Sequence, residues 1–325
     1  MTRTPFAAGA ALAASALVLA GCSAPATPSE NDSLLTIVAS TNVYGDIAAA
    51  IGGDGVTVTS IIDSAAADPH SFEASARDQL AVSEADLIIV NGGGYDPFMQ
   101  TLIEASGSTA VVLTAVEVAG LVEGDAHDDA EGEDAEDDHA ADDDHADHDH
   151  IEGVNEHVWY DVHAMGELAH EIADELAELA PESAAQFEAN AEEFEAGIAE
   201  LEVKADESRA AHEGEGVALT EPVPAYLLEA AGFVNLTPGA FTEAIEEGAD
   251  VPPVALQETL ELIGSGRVVL LAYNSQTASP ETERVREAAE ADAIPVVDFT
   301  ETLPEGQTYL SWMTANLDAI AAAVA

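Results

Sequence analysis

The sequence predicts an α/β protein of two lobes joined by one long rigid helix. Short β-branched runs alternate with helical patterns over residues 34–114, which is typical of a parallel sheet with helices on both faces. The same alternation resumes over residues 217–323. Between these regions, one helical pattern continues for about thirty residues, long enough to run about 45 Å at 1.5 Å per residue.

The first lobe, assigned to residues 34–180, contains four predicted strands. They cover residues 34–40, 56–62, 85–91 and 110–114, and helices are predicted over 43–51, 77–83, 96–105 and 163–179. The strands are short runs rich in Val, Ile and Leu, as expected for strands buried on both faces of a parallel sheet. The carboxyl ends of such strands are the usual place for a ligand.

The linking helix, assigned to residues 181–212, begins after Pro181, a residue that suits a helix start. Its apolar residues recur at spacings of three and four and form one stripe. They are Phe187, Ala191, Phe194, Ile198, Leu201 and Ala205. The second lobe, residues 213–325, has predicted strands over 217–220, 267–273 and 294–299, and predicted helices over 225–231, 255–263, 281–291 and 311–323.

The N-terminus has the features of a secretion signal. Arg3 precedes an apolar run from Phe6 to Ala20, which is short for a membrane span of about twenty residues but suits a signal peptide. The run ends Leu19-Ala20-Gly21-Cys22, the pattern of a bacterial lipobox. We expect removal of residues 1–21, a lipid anchor on Cys22 and a tether over residues 22–33. An ordinary secretion signal with an incidental cysteine is the alternative.

Charge narrows the class of ligand. Sixty-four acidic residues against seven basic ones give a formal net charge of −57. A field of this sign repels phosphate backbones, so the sequence argues against nucleic-acid binding and favours cations as partners. The single cysteine excludes a disulfide framework and a zinc site made only of thiolates.

Residues 123–150 interrupt the α/β pattern. This segment contains fifteen acidic residues and five histidines, with almost no large apolar side chain. The histidines are His127, His139, His145, His148 and His150. The composition predicts a mobile loop that binds zinc weakly, and a low-complexity insertion without function is the alternative.

Two other histidines stand in unusual contexts. His70 lies in Asp-Pro-His-Ser-Phe-Glu, directly after the second predicted strand, and His157 lies two residues before Trp159. A single loop histidine is more often solvated than metal-bound, and Trp159 could serve the core as well as a site. His163, His170 and His212 fall in or beside helical patterns, where surface or core positions are expected.

These motifs resemble those of the metal-binding lipoproteins that serve ABC importers of zinc, manganese or iron, a family that includes streptococcal adhesin-like proteins. The resemblance covers nearly all of residues 34–325. DPHSFE (68–73) is similar to the family motif D-P-H-x-[YF]-E, and EHVWYD (156–161) is similar to H-x-W-x-D. The resemblance implies that His70 and His157 are metal ligands, and it implies a mainly parallel four-stranded sheet in each lobe.

Two carboxylates complete the implied ligand set. The segment LTEPVPAYLLEAAGF (219–233) resembles the one that carries a histidine ligand in zinc-type members and a glutamate in many manganese-type members; here that residue is Glu221. IPVVDFTETL (294–303) resembles the segment with the last ligand, which matches Glu301, with Asp298 as the competing choice. Two neutral imidazoles and two carboxylates would neutralise a divalent cation.

The resemblance implies a receptor that captures a divalent metal between two lobes and delivers it to an ABC permease. Zinc is favoured because histidine-rich acidic loops are a zinc-type feature, whereas Glu221 and the carboxylate content suit manganese or iron(II). We expect an extracytoplasmic monomer that is held at the membrane by its lipid. We expect no catalytic cofactor and no enzymatic activity, because four protein ligands leave no open position for water. A secreted metal hydrolase and a cell-surface adhesin are the alternatives from other classes.

Overall fold

The computed structural model describes residues 34–64, 72–122 and 155–325. The predicted signal peptide, Cys22 and the tether lie outside these residues. His70 and the histidine-rich segment 123–150 lie outside them as well. Within the described ranges, no helix combines the length and the apolar character needed to cross a membrane.

The first sheet contains four parallel strands in the order β2-β1-β3-β4. The strands are β1 (Leu35–Thr41), β2 (Val56–Ile62), β3 (Leu87–Val90) and β4 (Val111–Thr114). The helices of this lobe are α1 (Asn42–Gly52), α2 (Ala76–Ser83), α3 (Pro97–Ser106) and α4 (Ala115–Val118). Every residue of β3 is buried, which explains its continuous apolar sequence.

Two long helices follow the first sheet. A short 3₁₀ helix (Val158–Tyr160) leads into α5 (Val162–Leu179), and α6 spans Ala184–His212. The buried residues of α6 are the six of the predicted stripe. Through them, α6 packs against α1, α5 and α11 (Tyr309–Ala323). The linking helix is therefore fixed along its length by packing on both parts of the chain.

The second sheet repeats the strand order of the first, as β6-β5-β7-β8, and is also parallel throughout. The strands are β5 (Gly216–Leu219), β6 (Val234–Asn235), β7 (Val268–Asn274) and β8 (Val296–Phe299). The remaining helices are α7 (Ala225–Ala230), α8 (Gly239–Glu246), α9 (Pro253–Ile263) and α10 (Pro280–Ala291). Two parallel four-stranded sheets flanked by helices, with a long helix between them, confirm the predicted fold class.

The two sheets share one hydrophobic core. Its buried residues include Ile37 of β1, Phe194 of α6, Leu219 of β5 and Tyr309 of α11. The rings of Phe194 and Tyr309 stack with centroids 5.9 Å apart. In each sheet the second strand pairs on one side of the first strand and the third strand pairs on its other side. The crevice at this reversal, between the first and third strands, is where ligands bind in open α/β sheets.

Candidate metal centre

Three predicted ligands and one further polar residue lie at the ends of strands or just before a helix. Glu221 follows β5 by two residues, Glu301 follows β8 by two, and Asn274 ends β7. His157 immediately precedes the 3₁₀ helix that leads into α5. Each of these four residues is at most 1% exposed. Carboxylates buried to that extent require strong polar partners.

Asn274 provides a partner that the two carboxylates share. Its Nδ2 donates to Oε2 of Glu221 at 2.5 Å and to Oε1 of Glu301 at 2.7 Å. The hydroxyl of Thr277 also donates to Glu221 Oε2, and the hydroxyl of Tyr95 donates to Glu301 Oε2 at 3.3 Å. One amide group therefore brings together two residues that are eighty positions apart in the chain.

The loop that carries Glu301 is anchored from both lobes. The backbone amides of Glu301 and Thr302 donate to Oε1 of Gln276, at 2.6 and 3.2 Å. One residue further on, the amide and carbonyl of Leu303 both bond to the side chain of Asn42, each at 2.9 Å. Asn42 begins α1 of the first lobe, so the position of Glu301 depends on contacts with both lobes.

Asp298, the competing choice for the last ligand, has different surroundings. It lies within β8 on the exposed face of the strand, between buried Val297 and buried Phe299. Its Oδ1 accepts a hydrogen bond of 3.1 Å from Nη1 of Arg286. The carboxylate that shares the Asn274 donor with Glu221 is that of Glu301.

His157 is enclosed by aromatic rings. Its imidazole lies edge-to-face with Trp159 and Tyr95, with ring centroids 5.2 and 5.8 Å away. Its Nδ1 is 2.8 Å from Oδ1 of Asn155. Trp159 belongs to the core and also contacts the imidazole of His157. Asp161, the last residue of the matched motif, caps α5 by accepting from the amides of His163 and Ala164.

Two residues beside His157, Glu156 and Glu246, were not predicted from the sequence. Together with His157 they form a group whose possible ligand atoms all lie within 4.8 Å of one another. Burial, followed by the charges of Asp96 and Glu221, raises the pKa of Glu156 to about 8. Burial, followed by the charges of Glu156 and Glu221, raises the pKa of Glu246 to about 8. The carboxyl groups of Glu156 and Glu246 are therefore largely protonated, and so uncharged, at neutral pH when no metal is bound.

A second omission is the loop that follows β3. Gly92, Gly93 and Gly94 have φ values of 75, 70 and 100°, a region that favours glycine. A Cβ at Gly92 would lie 2.5 Å from Thr114 Cγ2. This tight turn brings Tyr95 to Glu301. Three consecutive glycines directly after a buried strand were the available sequence signal.

The other predicted residues fall into two groups. His70, together with the five histidines of segment 123–150, lies outside the described residues. His163 and His170 lie on the surface, where their side chains are 3.1 Å from Glu202 and 3.2 Å from Glu195. The part of the chain that the structure describes therefore joins Glu221 and Glu301 through Asn274 and connects His157 to Glu301 through Tyr95. It places His163 and His170 on the surface.

Known proteins resemble this chain over most of its length. The family profile described as "Zinc-uptake complex component A periplasmic" matches residues 37–323. The manganese-binding lipoprotein MntA of Halalkalibacterium halodurans is 28% identical over 261 residues, covering 75% of this chain and 78% of the relative. The manganese ABC transporter substrate-binding lipoprotein PsaA of Streptococcus pneumoniae is 25% identical over 326 residues, 96% of each chain.

Solved structures show the same fold. The periplasmic zinc-binding protein TroA from Treponema pallidum superposes with a TM-score of 0.69 at 19% identity, covering 90% of this chain and 99% of that one. At that level of identity the similarity concerns the architecture, and the choice of ligands and metal is a separate matter.

Proposed function

The chain belongs to the family of the periplasmic zinc-uptake complex component A, and on that premise we propose that it is the metal receptor of an ABC importer. In this proposal it holds one divalent transition-metal ion between its lobes and delivers the ion to the permease. The observation that carries the proposal is the buried pair Glu221 and Glu301, which share the Asn274 donor.

The proposed ligands are His70, His157, Glu221 and Glu301. Two carboxylates balance the charge of a divalent ion, and two imidazoles supply neutral donors. The burial of Glu221 and Glu301 supports this set, because two carboxylates removed from water gain most from a cation between them. A metal held by four protein donors has no position left for an activated water, which favours a receptor over a metal hydrolase.

The anchor at Cys22 completes the proposal. The relatives MntA and PsaA are named as lipoproteins, which supports lipidation of this chain at its own lipobox-like sequence. A tether over residues 22–33 would keep the receptor close to a permease in the same membrane, where a single copy of the chain suffices for delivery. Adhesion to a host ligand is not proposed, because the described residues carry no feature that identifies one.

Zinc is the proposed cargo. The five histidines of segment 123–150 and the two imidazoles of the ligand set support zinc, and zinc binds more tightly than manganese or iron(II) at most sites with nitrogen and oxygen donors. Glu221 supports manganese or iron(II) instead, and so do the names of the two curated relatives. A receptor of the same class for one of those metals is therefore the second candidate.

Metal competition tests the proposal. The metal-free full chain is equilibrated anaerobically with equal concentrations of Zn²⁺, Mn²⁺ and Fe²⁺, and the retained metal is measured by mass spectrometry. We expect one tightly held equivalent of zinc in the wild type and in the surface variant His163→Ala. Retention of manganese or iron would reassign the cargo. Retention of no metal, or a metal-dependent peptidase or esterase activity, would contradict the receptor.

A further inference from the structure

We propose that Asn155 is a positioning residue that holds His157 in one tautomer and fixes that histidine relative to Glu221 in the opposite lobe. The inference deepens the proposed function, since it gives the metal-facing role to Nε2 of His157. Asn155 precedes His157 by two residues and is not itself a proposed ligand.

The orientation of the Asn155 amide follows from its partner in the second lobe. Its Nδ2 is 3.1 Å from the carbonyl oxygen of Pro222. A carbonyl oxygen can only accept a hydrogen bond, so the amide nitrogen of Asn155 must face Pro222. Its Oδ1 must then face the other way, toward His157. The backbone amide of His157, which can only donate, is 3.2 Å from Oδ1 and independently requires the same orientation.

This orientation determines the tautomer of His157. Oδ1 of Asn155 is an acceptor, and Nδ1 of His157 lies 2.8 Å from it. Nδ1 must therefore carry the proton, and the lone pair of the neutral ring resides on Nε2. Metal-bound histidines commonly donate their other ring nitrogen to such a partner, which fixes the direction of the ring.

Glu246 is the competing partner for Nδ1, but its distance is too long. Its Oε1 is 3.6 Å from Nδ1, beyond the usual 2.7–3.2 Å of an N–H···O hydrogen bond. A neutral amide also suits this position better than another carboxylate would. Glu156 and Glu221 already contribute negative charge around Glu246, and a further negative charge beside them would add to the repulsion.

Asn155 also connects the two lobes. Pro222 directly follows Glu221, so the Asn155 amide bonds next to the proposed ligand of the second lobe. The backbone carbonyl of Asn155 accepts a 2.7 Å hydrogen bond from the hydroxyl of Tyr226 in α7. A shift of the Asn155–His157 segment away from Pro222 and α7 would have to break both contacts.

The test measures tautomer and affinity separately. The full chain is labelled with ¹⁵N-histidine, and the imidazole ¹⁵N shifts of the metal-free protein are recorded at pH 8, with His157→Gln identifying the resonances of His157. We expect Nδ1–H in the wild type and in Asn155→Asp, which keeps the acceptor. In Asn155→Ala we expect a mixture of tautomers and a 10–100-fold loss of zinc affinity in competition with a chelator.

The tautomer of His157 and the contacts between the lobes are tested by different variants. Tyr226→Phe removes one contact between the lobes and should weaken zinc binding without changing the tautomer. An Nε2–H tautomer in the wild type would overturn the inference, even if Asn155→Ala does not fold. Full zinc affinity in Asn155→Ala, with loss in His157→Ala, would also overturn it. Full affinity in both variants would instead contradict the proposed ligand set.

Discussion

Glu221 and Glu301 are joined through one amide group, because Nδ2 of Asn274 donates a hydrogen bond to each carboxylate, at 2.5 and 2.7 Å. Asn274 is itself held in place, since its backbone amide donates to Oγ1 of Thr220 at 2.9 Å. Two buried carboxylates repel each other, and this repulsion is reduced by a donor that both of them share. In the proposed metal site the two carboxylates are therefore already held together without a cation, which would lower the free-energy cost of binding one.

The first prediction concerns this shared donor. Asn274→Ala should lower the affinity for the metal by roughly 10–100-fold, because each hydrogen bond to a charged group is worth about 1.5–3 kcal/mol. Competition with a fluorescent chelator measures the change. Asn235→Ala, at an exposed asparagine on the edge strand β6 of the same sheet, is the matched control and should bind like the wild type. Equal affinities in the two variants would remove Asn274 from the site.

The second prediction concerns the imidazole ligands. His157→Ala and His70→Ala should each lower metal affinity by at least about tenfold, since each removes a direct donor and leaves the cation with fewer ligands. Isothermal titration calorimetry measures both. His163→Ala serves as the control, because His163 lies on the surface beside Glu202. If either ligand variant titrated like the wild type, that histidine would not be a ligand.

The third prediction concerns residues 123–150. Five histidines among fifteen acidic residues should provide several weak zinc sites, because a low-complexity sequence is not expected to hold its histidines in one rigid ligand geometry. Deletion of the segment should remove those sites and leave one tight site, which a calorimetric titration resolves as a separate phase. Loss of the tight phase on deletion would mean that the segment supplies a principal ligand.

The fourth prediction concerns pH and the metal-free protein. Burial raises the pKa of Glu246 from an ordinary 4.5 to about 8, so between these values the folded chain holds a proton that the unfolded chain has lost. Its stabilising contribution is complete below pH 4.5 and is lost as the pH rises through 8. In the presence of a chelator, Glu246→Gln should therefore melt at a higher temperature than the wild type at pH 8.5, by at least about 3 °C.

An exposed glutamate on another helix of the second lobe provides the control for that experiment. Glu258 lies on α9 and is exposed, so Glu258→Gln should show the same fall in melting temperature from pH 5.5 to 8.5 as the wild type. Glu246→Gln should show a smaller fall. Identical pH profiles in the wild type and Glu246→Gln would mean that Glu246 is already ionised in the folded protein at neutral pH.

The sequence was most informative where a pattern is local and repeated. The stripe of α6 follows from residues three and four apart, and all six of its members are buried. The helix α8 was missed because it is only eight residues long, follows Pro238 and begins with a glycine. Because α8 was not predicted, Glu246 at its end was not recognised as a neighbour of His157. The proximity of these two residues depends on how α8 packs against the rest of the second lobe.

The site required information that no local pattern holds. Glu221 and Glu301 came from a resemblance to known motifs, since eighty positions separate them and spacing alone cannot bring them together. Asn274 ends a buried strand and Gln276 follows it, which was the available signal, but both residues act through hydrogen bonds to loops that only the folded chain brings close. Asp298 and Glu301 differ in strand register: one is on the exposed face of β8 and the other lies past its end.

A crystal structure of the zinc-loaded chain, with anomalous data at the zinc edge, tests the central claim most directly. We expect one zinc ion with a carboxylate oxygen of Glu301 and one of Glu221 about 2.0–2.2 Å away, and Nε2 of His157 and a ring nitrogen of His70 at about 2.0–2.1 Å. A zinc ion bound instead by Nδ1 of His157 with Glu156 and Glu246, or bound by Asp298 while Glu301 has no contact with it, would contradict the proposed ligand set.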